Sequence, residues 1–188
     1  MFSSRVELAI TTMLEAHGLG RRKAGSGFEA THVLSVAIIV GDFGFAEDAV
    51  VAAILHDALE DTPLERDVIR QRFGERVLAI VSDVTEPPKS VSWRVRKETY
   101  IERLRHSPRD EARAVASADK IHNLSNMATG FETRGRAFAK AFTGDIDDMI
   151  WYHQRTHRML VDTWTHPILE EHERRLDVFL TAARAASR

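Results

Sequence analysis

Four polar side chains that could do chemistry lie close together in the segment "AAILHDALEDT", which covers residues 52–62. His56 and Asp57 are adjacent, and Glu60 and Asp61 follow one helical turn later. Imidazole and carboxylate groups bind divalent metals and also accept protons from water. A helix that ends here places its carboxylates unfavourably, because the macrodipole disfavours anions near a C-terminus by roughly 0.3–1 kcal/mol each. The segment therefore leaves two interpretations open: a solvated face at a helix end, or a set of groups kept for chemistry.

A divalent metal site in this chain must use histidine and carboxylate ligands, because the sequence contains no cysteine. Such a site needs three or four ligands that come from separate helices. His32, at the start of the second predicted helix, is one candidate, and Asp119, closely bracketed by Ala118 and Ile121 in "AVASADKIHNL", is another. An unpaired charge in apolar surroundings is costly. Each residue also has an ordinary interpretation, with His32 as a helix-start residue and Asp119 as an ion-pair partner of Arg22 or Lys23.

The elements that must position these groups are helices, because apolar residues recur at spacings of three and four along the chain. No segment shows the sustained alternation that is typical of a strand. The second half predicts helices at 93–105, 108–127, 145–164 and 167–186, with a less regular piece at 130–144. The pattern predicts an all-α fold of about eight helices.

Length and composition predict one domain over residues 1–188, because 44% hydrophobic content in a chain of 188 residues can form a substantial core. A formal net charge of −2 argues against a broad nucleic-acid-binding surface. No apolar run reaches the roughly 18 residues of a membrane span, and the N-terminus lacks the apolar segment of a signal peptide. We therefore expect a cytoplasmic protein without a membrane partner, and the sequence leaves its oligomeric state open.

The order His32, then His56 and Asp57, then Asp119 resembles the metal-ligand pattern of the HD phosphohydrolase superfamily. "AAILHDALEDT" is similar to the HDxxED signature of the hydrolase domain of RelA/SpoT-type alarmone enzymes. "ADKIHNL" is similar to the A-D-K/R-L-x-N-L/M segment of that family, and "FGERVLAIVSDVTE" to the stretch after its signature. The resemblance runs over about residues 21–127, and the closest match in size is to stand-alone small alarmone hydrolases.

This resemblance implies an HD-type helical bundle with a single metal site. It implies four metal ligands, which are His32, His56, Asp57 and Asp119, with Mn(II) as the usual ion. Imidazole and carboxylate donors also accept Fe, Zn or Ni. It further implies that Glu60 and Asp61 act on the attacking water, since a divalent cation lowers the pKa of water and polarises a phosphoryl oxygen.

The resemblance also implies a nucleotide substrate, guanosine tetra- or pentaphosphate, which loses its 3′-pyrophosphate. Arg22 and Lys23 match the Arg-Lys pair that lines the nucleotide site of the family, and Asn123 matches the family's Asn. We expect Asn123 to form hydrogen bonds with ribose or phosphate. Arg96 and Lys97, which follow the Pro-rich loop, are expected to lie on the surface, and no role is assigned to Lys120 or His122.

Three positions depart from the family pattern. Phe28 lies near the family's aromatic position, Val33 follows the first histidine where the family has Pro, and Ser125 replaces an Arg. Two alternatives therefore stay open. One is an HD-type phosphatase acting on another nucleotide, such as the 2′-phosphate of NADPH or a deoxynucleotide, and the other is a catalytically silent module that binds a nucleotide.

Overall fold

A computed structural model of the protein describes residues 3–22 and 27–187, and the regular structure of these residues is helical apart from one isolated bridge between Arg21 and Phe28. The described residues form ten α-helices and one 3₁₀ helix. In chain order the α-helices are α1 (Ser4–His17), α2 (Glu29–Asp42), α3 (Glu47–Leu55), α4 (Ala58–Asp61), α5 (Arg66–Phe73), α6 (Glu75–Val84), α7 (Trp93–His106), α8 (Asp110–Arg134), α9 (Ile146–Thr163) and α10 (Ile168–Ser187). The 3₁₀ helix, Gly135–Ala141, lies between α8 and α9.

Helices α3 and α8 form the centre of the fold. Every residue from 49 to 55 of α3 is buried, as expected for a helix that is apolar on all sides. Helix α8 packs against α2, α3, α6 and α10, and α3 packs against α1, α2 and α6. The helices that carry His32 and Asp119 are therefore neighbours of α3 in the core, and α3 is the helix that ends just before His56.

A second apolar cluster joins the end of α8 to the C-terminal helices. Its buried members are Leu124, Met127, Ala128, Phe131, Phe138, Ile146, Met149, Leu176, Phe179, Leu180 and Ala183. Asp145 begins α9 with a side-chain cap, because its Oδ1 accepts a 2.8 Å hydrogen bond from the N–H of Asp148. This cluster fixes the C-terminal helices beside the pocket described below.

The predicted all-α fold is confirmed. The helices predicted at 93–105, 145–164 and 167–186 agree with α7, α9 and α10 to within one residue at each end. The described residues contain ten α-helices rather than about eight. No described helix combines the length and apolarity needed to cross a membrane.

The predicted end of the helix at 127 is wrong, because α8 continues to Arg134. Gly130, which indicated a break in the sequence, lies inside the helix and against the ring of Phe138. A Cβ atom at this position would lie 2.4 Å from Phe138 Cε2. The glycine therefore permits close packing of the aromatic ring rather than ending the helix.

Candidate metal centre and active site

The four predicted metal ligands lie close together. His32 Nε2 lies 3.2 Å from Asp119 Oδ1 and 3.5 Å from Asp57 Oδ2. His56 Nε2 lies 3.2 Å from Asp57 Oδ1 and 3.8 Å from Asp119 Oδ1. Both histidine rings are buried, with 1% of His32 and 4% of His56 exposed. The structure therefore brings two imidazoles and two carboxylates from α2, α8 and the end of α3 to a common centre.

A break in the helix lets adjacent residues share this centre. On a continuous helix, successive side chains point about 100° apart. Helix α3 ends at Leu55, His56 and Asp57 form a turn, and α4 begins at Ala58. From the sequence, this segment is expected to be the end of one helix, but Glu60 and Asp61 belong to the first turn of a separate four-residue helix.

The second nitrogen of each ring has its own partner. His56 Nδ1 lies 2.8 Å from the carbonyl oxygen of Ala53, to which it donates a hydrogen bond. His32 Nδ1 lies 2.8 Å from His122 Nδ1. Partners of this kind orient a metal-ligating histidine and leave Nε2 free for the metal.

The positions of the nitrogen and oxygen atoms of these residues fit a site for a divalent cation. Nitrogen or oxygen atoms of His32, His56 and Asp119 all lie within 4.8 Å of one another. His56 Nε2 is buried and has no hydrogen-bond partner, although it faces carboxylate oxygens. Buried polar atoms are rarely left without a partner, and an unpaired nitrogen beside carboxylate oxygens fits a metal-ligand position.

Electrostatics keep both carboxylates ionised. Burial opposes ionisation of Asp119, but Lys120 and the His32 ring hold its pKa well below the usual value. Burial likewise opposes ionisation of Asp57, whose pKa the rings of His56 and His32 lower. The centre therefore presents two anionic oxygen donors, as a divalent cation requires.

The predicted catalytic pair lies beside this centre, in the same pocket. Glu60 Oε2 accepts a 3.2 Å hydrogen bond from the N–H of Glu86. Burial raises the pKa of Glu60 to about 7, and the charges of Glu86 and Asp57 add to the effect. Asp61 is more exposed, and its Oδ1 accepts a 2.6 Å hydrogen bond from Lys89 Nζ. Two neighbouring carboxyl groups thus occupy different environments, which suits them to different roles.

The pocket has a volume of about 740 Å³ and extends from the metal centre to α7 and α9. Arg96 and Lys97 line it, so their predicted surface location is wrong. Only 12% of the Arg96 side chain is exposed, and its Nη1 lies 3.3 Å from Glu86 Oε2 and 3.9 Å from Glu60 Oε1. Lys97 Nζ donates to Glu86 Oε1. The Glu86 carboxylate, which is largely buried, thus forms an ion pair with both cations inside the pocket.

Two of the predicted nucleotide-binding residues, Arg22 and Asn123, line the same pocket. Arg22 Nη2 donates a 2.6 Å hydrogen bond to Asn123 Oδ1, and Asn123 Nδ2 donates a 2.6 Å bond to Asp119 Oδ1. Arg22 also forms an ion pair with Glu29 at 3.2 Å. Asn123 therefore touches a metal-ligand candidate as well as the pocket. Lys23 lies outside the described residues.

Sequence reasoning missed several residues at this site. Lys120 is buried, with its Nζ 2.6 Å from Asp119 Oδ2, and His122 lies against His32. The sequence does contain a signal for His122, because it follows Asp119 by three residues and this spacing places two side chains on the same face of a helix. Glu86 had no such signal, because only the fold brings it next to Glu60 and Arg96.

The fold and the site are those of a class of helical proteins in which histidine and aspartate side chains together form a site for a divalent metal. The chain belongs to the HD domain family, whose sequence model matches residues 9–144. The family relationship and the His32, His56 and Asp119 cluster together imply a divalent metal.

Curated relatives share the HD segment of the chain. A protein of Aquifex aeolicus named guanosine-3′,5′-bis(diphosphate) 3′-pyrophosphohydrolase is 28% identical over 140 residues, which are 73% of this chain and 20% of that protein. A protein of the same name from Haemophilus influenzae is 30% identical over 131 residues, or 67% of this chain and 19% of that protein. The chain thus spans about a fifth of the length of these relatives, and its resemblance to RelA/SpoT-type hydrolase domains is confirmed.

Two solved structures have a similar fold. The crystal structure of lmo0812 from Listeria monocytogenes EGD-e is 32% identical, with a TM-score of 0.67, over 78% of this chain and 91% of that one. A structure described as a metazoan ortholog of SpoT that hydrolyses ppGpp has a TM-score of 0.74 and covers 96% of both chains. Its identity to this chain is 24%, so this likeness concerns the fold.

Proposed function

We propose that the protein is a metal-dependent phosphohydrolase that removes the 3′-pyrophosphate from guanosine tetra- or pentaphosphate. The products are GDP or GTP, together with pyrophosphate. One observation carries the proposal: the Glu60 and Asp61 carboxyl groups share a pocket with a buried cluster of two histidines and an aspartate. The similarity to curated guanosine-3′,5′-bis(diphosphate) 3′-pyrophosphohydrolases supports this substrate.

The proposed metal ligands are His32, His56, Asp57 and Asp119, and the proposed ion is Mn(II). When bound, a divalent cation supplies Lewis acidity toward water and toward a phosphoryl oxygen. The two imidazoles and two carboxylates equally suit other divalent transition metals. The buried, unpartnered Nε2 of His56 supports this ligand set.

Glu60 is the proposed general base. Its pKa of about 7 lies near neutral pH, where a carboxylate base is most effective. The water oxygen bonds to the phosphorus next to the ribose 3′-oxygen, and the bond from that phosphorus to the 3′-oxygen breaks. The proton taken from water balances the proton that the 3′-oxygen gains as it leaves. Asp61, fixed by Lys89, orients the water.

The charges around the pocket suit a polyanionic substrate. Arg22, Arg96 and Lys97 line the pocket, and so does Asn123. Guanidinium and ammonium groups in a partly buried pocket bind phosphate more strongly than on an open surface. Lys23 stays a prediction from the sequence, as do the cytoplasmic location and the absence of nucleic-acid partners.

The test is a product assay. Metal-free protein is reconstituted with Mn(II) and incubated with guanosine tetraphosphate, NADPH or a panel of deoxynucleotides, and pyrophosphate and orthophosphate are quantified separately. We expect pyrophosphate from guanosine tetraphosphate only. Asp57→Ala should abolish turnover, whereas Asp67→Ala, at an exposed position on α5, should not.

Each other outcome contradicts part of the proposal. Orthophosphate from NADPH or from a deoxynucleotide would overturn the substrate assignment and favour a different nucleotide phosphatase. Full metal binding without turnover of any nucleotide would overturn the enzymatic assignment and favour a silent binding module.

A further inference from the structure

His122 contacts the metal-ligand candidate His32 at the Nδ1 side of its ring. The two Nδ1 atoms are 2.8 Å apart, and the ring centroids are 4.7 Å apart with the rings tilted at 50°. His122 and Asp119 are three residues apart on α8, so both side chains project from the same face toward α2. Among the described residues, Asn123 and Asn126 line the pocket, but His122 does not. His122 is therefore placed to act on His32 rather than on a substrate.

The contact determines which atom carries the proton of the His32 ring. Two imidazole nitrogens at 2.8 Å need one donor and one acceptor. His32 Nε2 faces the oxygens of Asp119 and Asp57, at 3.2 and 3.5 Å. A neutral imidazole that offers Nε2 to a metal carries its proton on Nδ1, so His32 donates and His122 Nδ1 accepts.

The His122 ring is itself held in place. Asn126, one helical turn further along α8, places its Nδ2 3.2 Å from His122 Nδ1 and 3.4 Å from His122 Nε2. The Asn126 carboxamide therefore packs against the His122 ring. At the other ligand, the equivalent partner of His56 is the backbone carbonyl of Ala53, which needs no side chain.

We propose that His122 is a positioning residue that accepts the Nδ1 proton of His32 and so holds His32 Nε2 toward the metal. This inference rests on the proposed metal-dependent function and deepens it. Without the acceptor, the His32 ring can rotate or carry its proton on Nε2, and either change removes the lone pair that a cation needs. Loss of such an outer partner typically weakens metal binding about 10–100-fold.

Two isosteric substitutions separate hydrogen bonding from shape. His122→Leu removes the acceptor, whereas His122→Asn places a carboxamide oxygen at the position of Nδ1. The Mn(II) dissociation constant of metal-free protein is measured by calorimetric titration, and the thermal midpoint without metal is measured in parallel. We expect a roughly 10–100-fold weaker affinity for His122→Leu and recovery to within about tenfold for His122→Asn.

The matched control is His106→Leu, since His106 is largely exposed at the end of α7 and should leave Mn(II) affinity unchanged. Equal losses in the Leu and Asn variants would overturn the hydrogen-bonding role, and an unchanged affinity in His122→Leu would overturn the inference altogether. If His122→Leu does not fold, His122→Ala replaces it in the comparison with His122→Asn. Absence of Mn(II) binding by the wild type would instead overturn the proposed metal site, and this inference with it.

Discussion

The Glu60→Gln substitution is expected to abolish hydrolysis and, at the same time, to stabilise the metal-free protein above neutral pH. Burial raises the pKa of the Glu60 carboxyl from 4.5 to about 7, with the charges of Glu86 and Asp57 adding to the effect. Glutamine keeps an oxygen that can accept the N–H of Glu86, which lies 3.2 Å from Glu60 Oε2. Unlike glutamate, it carries no charge at any pH.

The size of the effect depends on pH. The folded protein binds the Glu60 proton more tightly than the unfolded chain does. The stability that this group contributes is therefore complete below about pH 4.5 and is lost as the pH rises through about 7. One pKa unit corresponds to about 1.4 kcal/mol, so the loss approaches about 3 kcal/mol above neutral pH. For a chain of this length, that free energy of unfolding corresponds to roughly 6–12 °C in thermal midpoint.

The assay is thermal unfolding of the metal-free wild type and variant, followed by circular dichroism from about pH 4.5 to about pH 8.5. The variant should match the wild type at the acid end and unfold at a higher temperature at the alkaline end. Glu173→Gln, at an exposed position on α10, is the matched control and should stay within about 0.5 kcal/mol throughout. A difference between Glu60→Gln and wild type that does not change with pH, or a variant that is less stable at the alkaline end, would refute the reasoning.

Two further predictions concern packing. Arg96→Gln removes the buried guanidinium beside Glu86 and should cost about 1–3 kcal/mol, whereas Arg94→Gln, on the exposed side of the same helix, should cost less than about 1 kcal/mol; urea unfolding measures both. Gly130→Ala places a Cβ 2.4 Å from Phe138 Cε2 and should destabilise the protein by about 1–3 kcal/mol in the same assay.

Each of these two predictions has a defined contrary result. Equal losses in the Arg96 and Arg94 variants would show that Arg96 is not held by a buried pair. For the glycine, Gly41→Ala on α2 is the matched control, because its nearest neighbour to a new Cβ is Val50 Cγ2 at 3.9 Å. If Gly130→Ala were as stable as Gly41→Ala, the close approach of the Phe138 ring would not limit this position.

The sequence was sufficient for those features that depend on local periodicity or on a distinctive motif. Apolar spacing of three and four placed α7, α9 and α10 to within one residue. The motif and the order of the residues indicate His32, His56, Asp57 and Asp119, which lie close together in the structure. Their roles as ligands are still predictions, which the metal titration tests.

Features that depend on tertiary contacts were not accessible in this way. The break after Leu55 is hidden because the apolar periodicity of α3 continues to Leu59. The burial of Arg96 is hidden because an arginine after a Pro-rich loop resembles a solvated residue, and its partner Glu86 lies ten residues away along the chain. Long-range ion pairs of this kind have no periodic signal in the sequence.

The groups that cost folding free energy at this site are the groups that the proposed chemistry uses. Glu60 is buried near two other carboxylates, which raises its pKa and lowers stability at neutral pH, although an exposed glutamate would carry no such penalty. His56 Nε2 is buried without a hydrogen bond, although its Nδ1 is satisfied by a backbone carbonyl. A fold selected for stability alone has no physical reason to combine these two defects in one pocket. A hydrolytic centre has such a reason, because a base with a pKa near 7 and an unpaired nitrogen donor are what proton transfer and metal binding require.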